Sequence, residues 1–378
     1  MRLPPLLAAT LAALAPLTLL TSAPAEAAPA ACSRDHAAVR RALDVLTASN
    51  ETPGVTVRID DPRCGAWSAA SGRADLATGR PMATGERTRV GSITKSFTAT
   101  VVLGLAAEHR LSLEDTVDRW LPGLVRTPRY DGRRITVRSL LRHTSGLPDY
   151  TDGLPFDAAS RWRHYDAREL VALALTMDPP GKAWNYSSTN YVLAGMIVRK
   201  VTGRGIEDET TRRILRPLGL RGTYWPGDRT SIRGPHPRGY VRDDEDAPWT
   251  DHTDQNMTFG GAAGALVSTT RDLNRFYTAL LGGRLLPPRL LAEMRTTVAA
   301  DPDRVWPGAR FGLGLIQTPL TCGGTWTGHA GGVPGFGTVA GVGPGGRAVA
   351  VSLNADPDSL QAQTHMLDVV QAALCERP

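Results

Sequence analysis

Strand-like alternation at both ends of the chain and helical periodicity through its middle predict an α/β fold of the α+β kind. Three observations carry this. Residues 54–60, 65–71 and 85–90 alternate as strands, and so do 311–317, 325–328, 334–343 and 347–354. Between the two groups the pattern is almost entirely helical. Amphipathic stretches at 35–49 and 358–374 bracket the whole. An antiparallel sheet built from both ends, flanked by N- and C-terminal helices and carrying an inserted all-helical region, accounts for that order. The expected division is a sheet domain over 32–110 plus 300–378 and a helical domain over 111–299.

Taken in order, Val39, Leu43, Val45 and Leu46 give 35–49 its apolar face. Residues 93–108 are apolar almost all round, as in a helix buried at the centre of a protein. Helices are predicted at 136–143, 167–177, 187–201, 206–218, 269–281 and 287–296. In the second-last of these, Thr269 and Asp272 are spaced as N-cap and N3. Residues 221–255 form a long polar loop containing Pro226, Pro235, Pro237 and Pro248, and loops of that length usually carry function.

Residues 1–31 stand apart. Arg2, an apolar stretch over 3–20 and the small-residue sites Ala25-Glu26-Ala27 and Ala28-Pro29-Ala30 form a secretory signal peptide and pro-segment. No later stretch is long and apolar enough to span a bilayer. The mature protein is therefore expected outside the cell or at its wall, as a monomer. Net charge is +6, without a basic run or interleaved aromatics, which argues against nucleic-acid binding. An exported chain with four cysteines suggests two disulfides. Three pairings are possible, and Cys32–Cys64 with Cys322–Cys375 is the expected one. No C-x-x-C or H-E-x-x-H spacing suggests a metal, and no cofactor is expected. Gly341 to Gly346 matches G-x-G-x-x-G, but it lies between two predicted strands and reads as a hairpin.

The chemistry points to Ser92-Ile93-Thr94-Lys95. Ser92 stands where the central helix should begin, and Lys95, three residues on, shares its helix face. Unpaired N–H groups and the helix dipole favour negative charge there. The chain has 43 Lys and Arg, yet only Lys95, Lys182 and Lys200 are lysines. Placing one of the three in a buried helix suggests a need for an amine that can titrate, which arginine cannot supply. A helix-capping serine is the simpler reading of Ser92 alone.

Two further stretches follow in order: Trp184-Asn185-Tyr186-Ser187-Ser188, just before a predicted helix, and Thr327-Gly328-His329-Ala330-Gly331-Gly332, read as a glycine-rich join between two strands. Together the three resemble the motifs of serine penicillin-recognising enzymes. Ser92 to Lys95 matches S-x-x-K, Tyr186-Ser187-Ser188 stands in the place of the usual Y-x-N, and His329-Ala330-Gly331 in that of the relatives' K-T-G or H-T-G. Arg142 to Tyr150 and Gly264 to Thr269 also resemble segments of that family. The likeness covers the chain from about Asp35 to the last helix. It is strongest to secreted D-alanyl-D-alanine carboxypeptidases and class C β-lactamases.

The resemblance implies a β-lactamase/transpeptidase-like fold and a Ser92 acyl-enzyme. Lys95 and Tyr186 would share the proton work, with either one as the base. The backbone N–H groups of Ser92 and Gly332 would form the oxyanion hole. Ser188, His329, Ala330 and Gly331 would bind substrate, His329 holding it or tuning Tyr186, and His143 would be structural. The implied partner is a peptidoglycan stem peptide or a β-lactam, and the implied activity a D-alanyl-D-alanine carboxypeptidase. A β-lactamase or esterase of the same fold is the alternative enzyme, and an inactive penicillin-binding protein the alternative without catalysis. Two departures matter. Ser188 replaces the usual asparagine. Ala330 and Gly332 lack hydroxyls that carboxypeptidase relatives place around the substrate's terminal carboxylate.

Overall fold

The computed structural model describes Met1 and residues 35–157, 159–244, 246–357 and 360–376. The expected signal segment beyond Met1, and Cys32, lie outside the described residues.

The N-terminal helix α1 (Ala37–Ala48) leads into strands β1 (Gly54–Asp61), β2 (Gly65–Asp75) and β3 (Arg80–Pro81). The C-terminal third supplies β4 (Val298–Ala299), β5 (Arg310–Phe311), β6 (Ile316–Pro319), β7 (Thr325–Val333), β8 (Phe336–Val342) and β9 (Ala348–Leu353). They form one antiparallel sheet in the order β3-β2-β1-β9-β8-β7-β6-β5-β4. The two halves of the chain are joined at β1 and β9, where Val55 faces Leu353 and Asp60 faces Ala348.

Strand alternation gives the sheet two different faces. Val57, Ile59, Val339, Val349 and Val351 point to one side and pack with α1 and the last helix, α6 (Leu360–Cys375). Each such side chain contributes about 1.5–3 kcal/mol on full burial. The small Ala340 and Ala350 point to the other side, which lets a helix approach closely. The helix seated there is Thr270–Leu281, within the region expected to form the separate helical domain. The sheet is thus covered by helices on both faces.

Behind that layer lies α2 (Thr94–Ala107), buried along nearly its whole length as its composition requires. The helical region follows, with α3 (Val137–Arg142), α4 (Ala167–Thr176) and α5 (Ser188–Thr202). Thr136 and Ser139 form a reciprocal capping box at the start of α3. His143 ends that helix in the left-handed conformation at φ 64°. Thr269 accepts from the Asp272 N–H to cap Thr270–Leu281, as the spacing predicts.

Three expectations need correction. The strand at 85–90 does not enter the main sheet: only Thr88–Arg89 is extended, paired with Val267–Ser268. The strand at 311–317 divides into β5 and β6. Between them Gly314 (φ 77°) packs so tightly that a Cβ would lie 2.6 Å from the Ala99 Cβ, and its carbonyl accepts from Ser96 on α2. The third motif is not a join between strands but lies inside β7, and the turn falls later, with Gly335 at φ 85°.

The Cys322–Cys375 disulfide is present, with Cα atoms 5.5 Å apart. Cys64 is not a free thiol, and its expected partner Cys32 is outside the described residues. Among the described residues no helix is long and apolar enough to cross a membrane.

Candidate active site

Ser92 sits in a single turn of 3-10 helix, Gly91–Ile93, that runs directly into α2. The Val90 N–H donates to Leu266 O, and Leu266 N–H donates to Thr94 Oγ1, so the turn is held from both ends. One turn along, Lys95 is 1 % exposed and its Nζ lies 2.9 Å from Ser92 Oγ. The same Nζ donates to Ser188 Oγ at 3.3 Å and to the Ala263 carbonyl at 3.1 Å. Three acceptors match the three protons of an ammonium. Burial nevertheless pushes the amine down to about 7, with the Asp149 carboxylate acting against that.

Tyr186 precedes α5, and its hydroxyl is hydrogen-bonded to Ser92. Its ring stacks on the His143 imidazole at 4.5 Å and lies 4.8 Å from Lys95 Nζ. Burial drives the phenol well above its ordinary value, so at neutral pH it holds its proton. His143 is buried and neutral. Its Nδ1 accepts from the Ser187 N–H and faces the Asn190 amide, which fixes the tyrosine support in place.

Ser188 donates to Asp149 Oδ2 at 3.3 Å. Asp149 is 4 % exposed, and burial raises its carboxyl while Lys95 and the Thr151 N–H act against that. Sequence reasoning missed this residue. It lies in the Arg142 to Tyr150 stretch that resembles the family but was given no role there; a second signal was the serine at 188, which leaves Lys95 without the usual amide partner.

Strand β7 closes the other side. A Cβ on Gly331 would lie 2.5 Å from Ser92 N, and one on Gly332 only 2.1 Å from Asp356 Oδ1. The glycines therefore let the strand backbone lie directly against the Ser92 turn. Gly332 is exposed on the cleft wall, while Gly331 is buried behind it. The expected substrate contacts at His329, Ala330 and Gly331 look different in place. His329 is 1 % exposed, turned toward Phe311, and burial lowers its imidazole to about 3. It is a neutral group near Lys95, not a cleft-lining cation. Ala330 is half-buried and outside the cleft lining.

The cleft over Ser92 has a volume of about 970 Å³. Tyr186, Ser188 and Asp149 form its floor, and Gly332, Val333 and Asp356 one wall. The long loop expected at 221–255 supplies another, through a short hairpin of Tyr240–Val241 with Thr250–Asp251 and through Trp249. Fully buried Arg89 anchors that loop by hydrogen bonds to the carbonyls of Thr230 and Thr253. Phe156, half exposed, stands at the rim. Among the described residues no group of three or more His, Cys, Asp or Glu is placed to hold a metal ion.

Comparison with known proteins agrees with this arrangement. The chain is 40 % identical to a D-stereospecific amidohydrolase from Streptomyces sp., with a TM-score of 0.82 over 91 % of this chain and 100 % of that one. It is 29 % identical to the D-amino acid amidase of Ochrobactrum anthropi SV3 complexed with L-phenylalanine amide, with a TM-score of 0.77 over 90 % and 98 % of the two chains. It is also 29 % identical over 294 residues to penicillin-binding protein 4* of Bacillus subtilis, covering 71 % of this chain and 60 % of that protein. The Beta-lactamase family profile matches residues 39–372, so the chain belongs to that family of serine penicillin-recognising enzymes and is a serine hydrolase.

Proposed function

We propose that the protein is an exported serine amidohydrolase that cleaves amide bonds of D-amino-acid amides and peptides through a Ser92 acyl-enzyme. The observation that carries the substrate class is that Ala330 and Gly332 on β7 present no hydroxyl. At this place carboxypeptidase relatives offer hydroxyls to a terminal carboxylate. Here neither residue offers one, and Gly332 shows only backbone to the cleft. A terminal carboxylate would lose those hydrogen bonds on binding, so an uncharged amide leaving group fits better. The names of the Streptomyces and Ochrobactrum relatives support the same choice. A D-alanyl-D-alanine carboxypeptidase is the second reading, supported by the likeness to a penicillin-binding protein.

Lys95, held near neutrality, takes the Ser92 proton as Oγ attacks the substrate carbonyl. The backbone N–H groups of Ser92 and Gly332 receive the oxyanion; losing one such donor typically costs about 100-fold or more. Protonated Tyr186 gives its proton to the leaving amine, and the proton gained at Lys95 restores the phenol. The net movement is of the Ser92 proton to the leaving group. Water then opens the ester, with the same groups working in reverse. The site is complete within one chain, which supports action as a monomer. The Cys322–Cys375 bond supports export, since disulfides persist in oxidising compartments.

The test compares N-acetyl-D-Ala-D-Ala with its C-terminal carboxamide, using Ser92→Ala as the blank. The proposal expects kcat/KM at least about ten-fold higher for the carboxamide. Equal or better cleavage of the free carboxylate would select the carboxypeptidase. Ser92→Ala should also lose covalent labelling by fluorescent penicillin while keeping its fold, and label on another serine would overturn the nucleophile.

A further inference from the structure

The proton that Lys95 receives from Ser92 makes a charge in a fully buried place. Such a charge is costly unless a counter-charge is near. The groups facing the amine come from four elements. His143 ends α3, Tyr186 and Tyr191 flank the start of α5, His329 comes from β7, and Asp149 comes from the loop after α3. Both imidazoles are held neutral by burial, and both phenols keep their protons. Asp149 is the acid among them. It reaches the amine through two hydrogen bonds of 3.3 Å, Lys95 Nζ to Ser188 Oγ and Ser188 Oγ to Asp149 Oδ2. Its other oxygen accepts the Thr151 N–H, which fixes the carboxylate from behind. Arg304 adds a more distant favourable charge.

We propose that Asp149 is a positioning residue for Lys95: through the Ser188 hydroxyl it holds the amine against Ser92 and supplies the counter-charge for the proton that the amine receives. The serine at the second-motif position then has a physical account. An asparagine amide there would itself reach the amine, whereas the shorter hydroxyl bridges it to a carboxylate. No proton needs to leave Asp149, so the mechanism keeps its balance. The inference rests on Ser92 and Lys95 as the reacting pair, and not on which amide is the natural substrate.

The experiment follows Ser92 acylation by fluorescent penicillin against pH in the wild type and in Asp149→Asn. In the same proteins Lys95 is titrated directly by NMR with 13C-lysine, and three lysines give a simple spectrum. Asparagine and serine are both good N-caps, so Asp149→Asn and Asp149→Ser can keep the bond to Thr151. Removing the carboxylate should lower the Lys95 midpoint by about one pH unit, move the acid limb of acylation down with it, and reduce the plateau several-fold. A purely structural role would lower the rate at every pH and leave the midpoint in place. Unmoved midpoints in either folded neutral variant overturn the proposal. Where penicillin does not label the wild type, the same pH profile is read from hydrolysis of a D-amino-acid amide; turnover retained in Ser92→Ala would show that Ser92 is not the nucleophile, which is a separate failure.

Discussion

Lys95 Nζ lies 3.1 Å from the carbonyl oxygen of Ala263, an acceptor that can never return a proton. Of the three partners of Nζ, only the hydroxyls of Ser92 and Ser188 can reverse direction when the amine becomes neutral. Ser188 is already committed to Asp149, so Ser92 is the group left to donate. The hydrogen-bond pattern therefore directs the lone pair of the neutral amine at the hydroxyl proton of the nucleophile.

Activity should accordingly rise with pH through about 7, as Lys95 loses its proton. Lys95→Arg should keep the charge and the fold but lower acylation by at least about 100-fold, since a guanidinium does not give up its proton in this range. The stability effect has the opposite source. Between about 7 and the unfolded value near 10.4, the unfolded chain holds more protons at this group, so its contribution to stability increases with pH there. Chemical denaturation of wild type and Lys95→Met across that range measures it. The apolar variant should gain most at pH 7 and below.

Gly331→Ala tests the close approach of β7 to the nucleophile turn. The new methyl would sit 2.3 Å from Val90 O and 2.5 Å from Ser92 N, so backbone must move. Overpacking of this kind costs about 1–3 kcal/mol. Because the atoms displaced carry Ser92, acylation should fall by about 100-fold or more. A variant with normal acylation kinetics would show that the strand is not held against the turn.

A third prediction concerns Asp61 and Arg347, a buried pair 2.6 Å apart that ties the end of β1 to the start of β9. Burial alone would raise the Asp61 carboxyl. The Arg63 N–H and the Arg347 guanidinium overcome that and hold it below the usual range. Its contribution is therefore present above the unfolded value near 3.9 and is lost as pH falls through the lower folded value. Arg347→Leu should cost about 3–5 kcal/mol at pH 7 by leaving the carboxylate unpaired. The deficit should shrink below about pH 4, where the acid takes up its proton. Urea melts at both pH values decide it.

Replacing Cys322 and Cys375 by serine opens a loop with a sequence separation of 53. The chain-entropy model assigns such a closure about 4 kcal/mol, and measured values are often smaller. Because the bond ties the approach to β7 to the end of α6, acylation should slow only modestly, with Ser92 still reactive. Complete loss of labelling in a folded double variant would give the disulfide a larger role than this.

Much of this was legible because the chemistry is local. Ser92 and Lys95 share one helix face, and spacing alone places them together. The glycines at 331 and 332 were visible too, although alternation did not reveal that Thr325–Val333 runs unbroken as one strand. Partner choice was not legible. Thr88–Arg89 has strand pattern, yet pairs with Val267–Ser268, about 180 residues away. Asp149 was hidden for a similar reason. A lone acid after Leu147-Pro148 has no pattern of its own, and its meaning comes from meeting Lys95 across the fold.

The join between β1 and β9 sets a clock for the chain. Val55 waits for Leu353, so at a synthesis rate of about 5–20 residues per second the first strand spends roughly 15–60 s without its neighbour. During that interval its valine-rich face and one row of backbone groups are open to other chains. The N-terminal hairpin of β1 and β2 cannot settle early into a finished sheet, whatever its own propensity. Completion awaits the last few dozen residues, and an interrupted chain would present an unpaired β-edge rather than a smaller working enzyme.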